Sequence, residues 1–148
     1  LVRHRHQDER RKLVRNPDLI PSAILEILRF EPPVVRIARL VGEPVEWYGE
    51  RLPPDSKLLL LLGAASRDPR EYERADEFLV ERKHERHIMA FGYGIHLCLG
   101  APLARLEARV VLEELLKRSG DWEIDESGLQ FAFSEFARGY SRIPIRLK

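Results

Sequence analysis

The sequence predicts an α+β protein, mainly helical, with small β-sheets, and three observations carry that reading. Ile20, Ile24, Ile27 and Leu28 recur at helical spacing up to Arg29, and Leu103, Leu106, Val110 and Leu116 do so over a longer stretch. Between these two helices, and again after the second, apolar runs or alternations sit between glycine and proline turns, as strands do. The ten residues Phe91-Gly92-Tyr93-Gly94-Ile95-His96-Leu97-Cys98-Leu99-Gly100 form a loop that separates the β-rich part from the long second helix.

Composition bounds the rest. A chain of 148 residues is one domain's worth of length, enough for a core. Its apolar fraction of 44% and charged fraction of 33% are those of a soluble globular protein. A net charge of +1 implies no global pull towards nucleic acid or a membrane. The longest apolar run, Leu58 to Leu62, is far too short to cross a bilayer. The charged residues from Arg3 onward do not make a signal peptide. A single cysteine excludes an internal disulfide and fits a reducing, cytoplasmic setting. No internal repeat or low-complexity segment is visible.

Leu1 to Arg15 carries Arg3, Arg5, Arg10, Arg11, Lys12 and Arg15 against Asp8 and Glu9. A basic helix of this kind is either a nucleic-acid arm or a solvated face, and the lack of interleaved aromatics favours the face. Asn16-Pro17-Asp18 is a turn, Pro21 suits a first helical turn, and Pro32-Pro33 ends the helix. Within it, Glu26 and Arg29 are three apart and share a face. Their neighbours are Ile and Leu, so the pair is expected to be at least partly buried. A buried pair is costly unless satisfied on all sides, which calls for a third polar partner from elsewhere in the chain.

Val34 to Leu40 reads as extended, with Val35, Ile37 and Arg39 on one face. Val45 to Tyr48 and Arg51-Leu52 read as a hairpin around Gly49-Glu50. After a turn at Pro53 to Ser56, the leucines of Lys57 to Leu62 predict a strand covered on both faces. Together these segments are expected to form one small β-sheet beside the Glu26 helix. Residues 70–90 are polar and irregular, a surface loop anchored by Tyr72 and Phe78. The second helix is expected to stop at Ser119-Gly120. In the tail, Leu129, Phe131, Phe133 and then Ile143, Ile145, Leu147 alternate, predicting two half-buried strands paired with each other.

The ten-residue loop carries the chemistry. Cys98 lies just before a helix whose first turn takes Pro102, so backbone N–H groups and the positive end of the helix dipole favour a thiolate there. Gly92, Gly94 and Gly100 allow positive φ and let a flat partner approach the backbone. A thiolate so placed suits a soft transition metal. On composition alone a lone cysteine is more often a small buried hydrophobe; the residues around it decide otherwise. The stretch matches Phe-Gly-x-Gly-x-His-x-Cys-x-Gly at every fixed position, and so resembles the cysteine signature of the cytochrome P450 family. Its continuation, Leu99 to Arg109, resembles the bacterial soluble branch. Glu26 and Arg29 resemble the family's Glu-x-x-Arg signature. Ala65-Ser66-Arg67-Asp68-Pro69 is similar to its Ala-Asn-Arg-Asp-Pro segment, with serine for asparagine. Phe78 and Arg82 match its Phe-x-x-x-Arg step, with Ala75 where proline is usual. Arg138-Gly139 and Ile143-Pro144-Ile145 resemble its closing elements. His87 falls one residue too early for the family's His-x-x-Phe, so no role is carried over to it.

The resemblance implies that Cys98 is the proximal ligand of a haem b iron (iron protoporphyrin IX). It implies that Phe91 shields the sulfur, and that Gly92 and Gly100 shape the loop against the cofactor. His96 would bind one propionate and Arg39 the other, with Arg36 the alternative to Arg39 and a plain surface histidine the alternative for His96. Arg82 becomes the third partner of Glu26 and Arg29; a solvent-exposed arginine is the other reading. The implied function is a haem-thiolate monooxygenase that inserts one oxygen atom from O2 into a small organic substrate. Its electrons would come from a ferredoxin or flavoprotein docked near Arg82, Lys83, Arg105 and Arg109. The resemblance covers nearly all of this chain but only about the last third of a complete enzyme, so residues 1–148 read as a single partial domain, the proximal haem-binding half. The distal helix with its acid–alcohol pair precedes this part in the family, so no catalytic residue is expected here. Only Val34 to Ile37 and Phe133 to Phe136 would line a substrate pocket. The competing readings are a truncated, catalytically incompetent haem-binding or scaffold protein, and a dimer that rebuilds the missing wall. Helix faces without their usual neighbours also predict self-association.

Overall fold

The computed structural model describes residues 6–84, 88–132, 134 and 137–148. Leu1 to Arg5, His87, Phe133 and Phe136, which the sequence reading touched, lie outside the described residues. Helix α1 (Gln7–Arg15) has Asp8 and Glu9 in its first turn and Lys12 and Arg15 in its last, matching the sign of the helix dipole. It is more than a solvated face. Leu13 is fully buried, and Arg10 is only 5% exposed. The Arg10 guanidinium lies 4.6 Å from the Trp122 ring centroid, donates to the Trp122 carbonyl at 2.9 Å and pairs with Asp121. A basic residue thereby pins the first helix to the last part of the chain.

The Asn16 side chain accepts from the Asp18 N–H at 3.2 Å and opens the short turn Pro17–Leu19. Helix α2 (Ile20–Phe30) follows, with proline in its first turn, and buries Ile20, Ala23, Ile24, Glu26 and Arg29. Leu13, Ala23, Phe78 and Val80 form a core cluster, against which Leu19, Ile27, Phe30 and Leu116 pack. Phe78 thus anchors the irregular segment 66–84, its ring 5.6 Å from that of Phe30.

Strand β1 (Ile37–Leu40) pairs antiparallel with β4 (Lys57–Leu60), placing Arg39 opposite Leu58. Strands β2 (Val45–Trp47) and β3 (Glu50–Leu52) form the predicted hairpin. Tyr48 and Gly49 turn it with φ of 53° and 79°, the positive values that such tight turns need. The expectation of one sheet is corrected: these are two separate two-stranded ladders. The leucine strand is corrected too. Its exposure alternates, Leu59 is 55% exposed, and the chain leaves the strand at Leu61 to enter the short helix α3 (Leu62–Ala65). A two-stranded antiparallel ribbon offers only one face to the protein, so a run of leucines cannot all be covered.

Helix α4 (Ala101–Arg118) packs on α2 and ends one residue before the expected stop, at Ser119. Of its predicted stripe, only Leu116 faces inward, against the core. Leu103, Leu106 and Val110 are exposed, and the less exposed positions are Ala104, Ala108, Leu112, Leu115 and Leu116. The tail pairing is also corrected. β6 (Gln130–Ala132) pairs with β7 (Gly139–Arg142), whereas β8 (Ile145–Leu147) pairs with β5 (Trp122–Ile124). Pro144, between β7 and β8, has no N–H for a ladder; its carbonyl instead accepts from the Asp125 N–H at 3.2 Å.

Candidate functional site

Two tight turns, Met89–Phe91 and Gly94–His96, fold the ten-residue loop. Gly92 (φ 75°) and Gly94 (φ 69°) occupy backbone conformations that a side chain resists. Gly100 does not, since its φ is −79°; the expectation of positive φ there is corrected. A Cβ at Gly100 would lie 3.7 Å from Cys98 Sγ, an ordinary van der Waals contact, so the space there does not require glycine either. The Cys98 N–H donates to the Phe91 carbonyl at 2.9 Å and closes the loop on itself. The Cys98 carbonyl then accepts from Ala101 N–H at 3.2 Å, the first residue of α4. The thiol itself is free and exposed rather than packed as a small core hydrophobe.

Beside the sulfur opens a cleft of about 590 Å³, within the size range of small-molecule and cofactor sites. Cys98, Phe91, His96 and Arg39 all line it, among apolar side chains that include Leu28, Val34, Ile37 and Leu60. The β1–β4 ladder brings Arg39 to this cleft; Arg36 is exposed and is not among its lining residues. Arg39 is exposed as well, with Nη1 donating to the Ala38 carbonyl at 2.9 Å. A soft sulfur, a cation and an imidazole on an apolar cleft fit a flat, apolar, metal-containing group with anionic substituents. Among the described residues, no cluster of three or more His, Cys, Asp or Glu would hold a bare metal ion. No described helix is long and apolar enough to cross a membrane. Of the two predicted pocket segments, Val34 and Ile37 line the cleft, and Phe133 to Phe136 lies outside the described residues apart from Ser134. Sequence reasoning gave Arg105 only a docking role. Its guanidinium lies 5.2 Å from the Phe91 ring centroid and ties the loop to α4.

Behind the loop, Glu26 and Arg29 have no exposed side-chain surface. Arg29 Nε donates to Glu26 Oε2 at 2.7 Å and Nη2 to Oε1 at 2.8 Å, a bidentate pair. Its remaining donors reach the carbonyls of Ser66 (2.9 Å), Ala75 (2.8 Å) and Glu77 (2.9 Å). Arg82 Nε lies 3.2 and 3.1 Å from the two Glu26 oxygens, and the Leu79 N–H donates to Oε1 at 2.9 Å. Burial pushes the Glu26 carboxyl up, but the Arg29 hydrogen bonds, the Leu79 N–H and the two guanidinium charges outweigh it and hold the group below the ordinary carboxylate value. Arg82 cannot also serve a docking surface. Its side chain is 9% exposed and its outer nitrogens donate to the carbonyls of Glu73, Arg74 and Glu77. Of the other predicted docking cations, Lys83 and Arg105 are exposed, and Arg109 pairs with Glu113 at 2.7 Å.

A family model described as cytochrome P450 matches residues 2–128. Cytochrome P450 130 of Mycobacterium tuberculosis is 38% identical over 144 residues, covering 97% of this chain and 36% of that protein. The polyketide biosynthesis cytochrome P450 PksS of Bacillus subtilis is 37% identical over 145 residues, covering 96% of this chain and 36% of its own length. The crystal structure of CYP109E1 from Bacillus megaterium in complex with corticosterone matches 99% of this chain and 40% of its own, at 37% identity and a TM-score of 0.91. The chain therefore spans little more than a third of the length of these relatives.

Proposed function

The chain belongs to the cytochrome P450 family, and on that premise we propose that it is the proximal, haem-binding part of a haem-thiolate monooxygenase acting on a small organic substrate. The observation that carries this reading is the exposed Cys98 thiol on an apolar cleft shared with Arg39 and His96. Haem b, when bound, supplies the activation of dioxygen, and a thiolate ligand favours O–O cleavage. The chain's own residues hold and tune it. Cys98, exposed on the cleft, would provide the sulfur ligand. His96 would hydrogen-bond one propionate and Arg39 would bind the other, both side chains lining the cleft. Phe91, backed by Arg105 and lining the same cleft as Cys98, would pack beside the bound sulfur ligand. The Glu26–Arg29–Arg82 network holds segment 66–82 against α2, a structural rather than a chemical task. A ferredoxin or flavoprotein would supply electrons, drawn by cations among Lys83, Arg105 and Arg109, with an affinity that weakens as salt rises. A cytoplasmic location fits the lone reduced cysteine.

A carbon monoxide difference spectrum of the reduced, haem-supplied protein tests the reading. The expected result is a red-shifted Soret band that disappears in Cys98→Ser. No haem uptake, or uptake without that band, overturns it. One observation favours a second reading, a haem binder without turnover: the cleft that carries the exposed Cys98 thiol is open to solvent. Product formation under a supply of electrons separates the two.

A further inference from the structure

The reading above gives His84 no task. Its side chain is 3% exposed, yet among the described residues neither ring nitrogen has a hydrogen-bond partner. Nε2 lies 3.6 Å from Glu26 Oε2, beyond a good hydrogen bond, and that carboxylate is already taken by Arg29, Arg82 and the Leu79 N–H. Among the described residues, the charged groups that face the imidazole are Glu26 and Arg29 from α2 and Arg82 from its own segment. One carboxylate is therefore set against two guanidinium groups before the imidazole takes any proton.

We propose that His84 is a proton-triggered release for the segment 66–84: on acidification it becomes a third cation around the single Glu26 carboxylate, and the segment parts from α2. The step needs only a proton from solvent. The bonds given up are Arg82 Nε and the Leu79 N–H to Glu26, together with those of Arg29 to the carbonyls of Ser66, Ala75 and Glu77. Burial, with Arg29 and Arg82 outweighing Glu26, holds His84 below the ordinary histidine value, so the folded chain keeps it neutral. In the unfolded chain the imidazole accepts its proton near 6.5, its ordinary value. Stability is therefore full above that pH and falls as pH drops from there to the lower folded value, after which it levels off. Glu26 loses its own contribution in a separate window, below its ordinary value of 4.5.

The test uses the 148-residue chain without cofactor, so it stands or falls apart from the proposed function. Urea unfolding is followed from pH 8 to pH 5 in the wild type and in His84→Gln, alongside an NMR titration of the wild-type imidazoles. Across the window the wild-type folding equilibrium constant is expected to fall by up to about tenfold per pH unit more than that of the variant. The Leu79 amide should lose hydrogen-exchange protection over the same interval in the wild type only. Parallel stability curves, or a His84 resonance that titrates at or above the ordinary histidine value, overturn the proposal. If His84→Gln does not fold, the wild-type titration decides alone.

Discussion

Arg29 shows how far a single residue can be read in advance. Its spacing from Glu26 and the Ile and Leu around it were enough to expect a buried pair in need of a third partner. The carbonyls of Ser66, Ala75 and Glu77 that take its other donors were not legible, because a backbone oxygen leaves no mark in a sequence. With every donor used, Arg29→Ala leaves the Glu26 carboxylate buried with its bidentate partner gone. The expected loss in urea unfolding is about 3–5 kcal/mol, a large share of a domain's typical total of about 5–15 kcal/mol. A loss under about 1 kcal/mol would mean that the pair is better solvated than its burial indicates. His84 was missed for the opposite reason. A histidine among Lys83, Glu85 and Arg86 reads as surface, and only the fold turns it onto Glu26.

At the scale of elements, the cysteine loop was the most legible part, since its glycines and its cysteine act over ten neighbouring residues. The structure separates two kinds of glycine within it. Gly92, at φ 75° and ψ −167°, is in a region that side chains seldom enter, so Gly92→Ala should cost about 1–3 kcal/mol of stability, read from thermal unfolding. Gly100→Ala carries no such strain at φ −79° and should leave thermal stability within about 0.5 kcal/mol of wild type. The added methyl group would make only ordinary van der Waals contact with the sulfur at 3.7 Å, so haem uptake should stay close to wild type as well. Equal thermal effects of the two changes would contradict this division. The strands were legible as strands but not by partner. Alternation marks a half-buried strand, whereas the choice of β5 for β8 and β6 for β7 depends on chain segments brought together from a distance.

For the whole molecule, the outward apolar row of α4 sets the solution behaviour. Leu103, Leu106, Val110 and Val111 are each about half exposed or more. A continuous row of this kind promotes association. Size-exclusion and light scattering should show concentration-dependent self-association, reduced in a Leu106→Lys, Val110→Glu double variant with unchanged circular dichroism. A wild-type chain that elutes as a monomer at high concentration would contradict it. The sequence by itself determined the elements, the loop around Cys98, the Glu26–Arg29 pair and the family. Each of these is written in residues that lie within a few turns of one another, where spacing alone fixes which side chains meet. The tertiary structure decided which face of α4 points outward, which strands pair, that Arg10 and Arg82 are buried cations and that His84 sits on Glu26. Those outcomes follow from competition for limited buried volume between distant segments, and no local pattern records which of them wins.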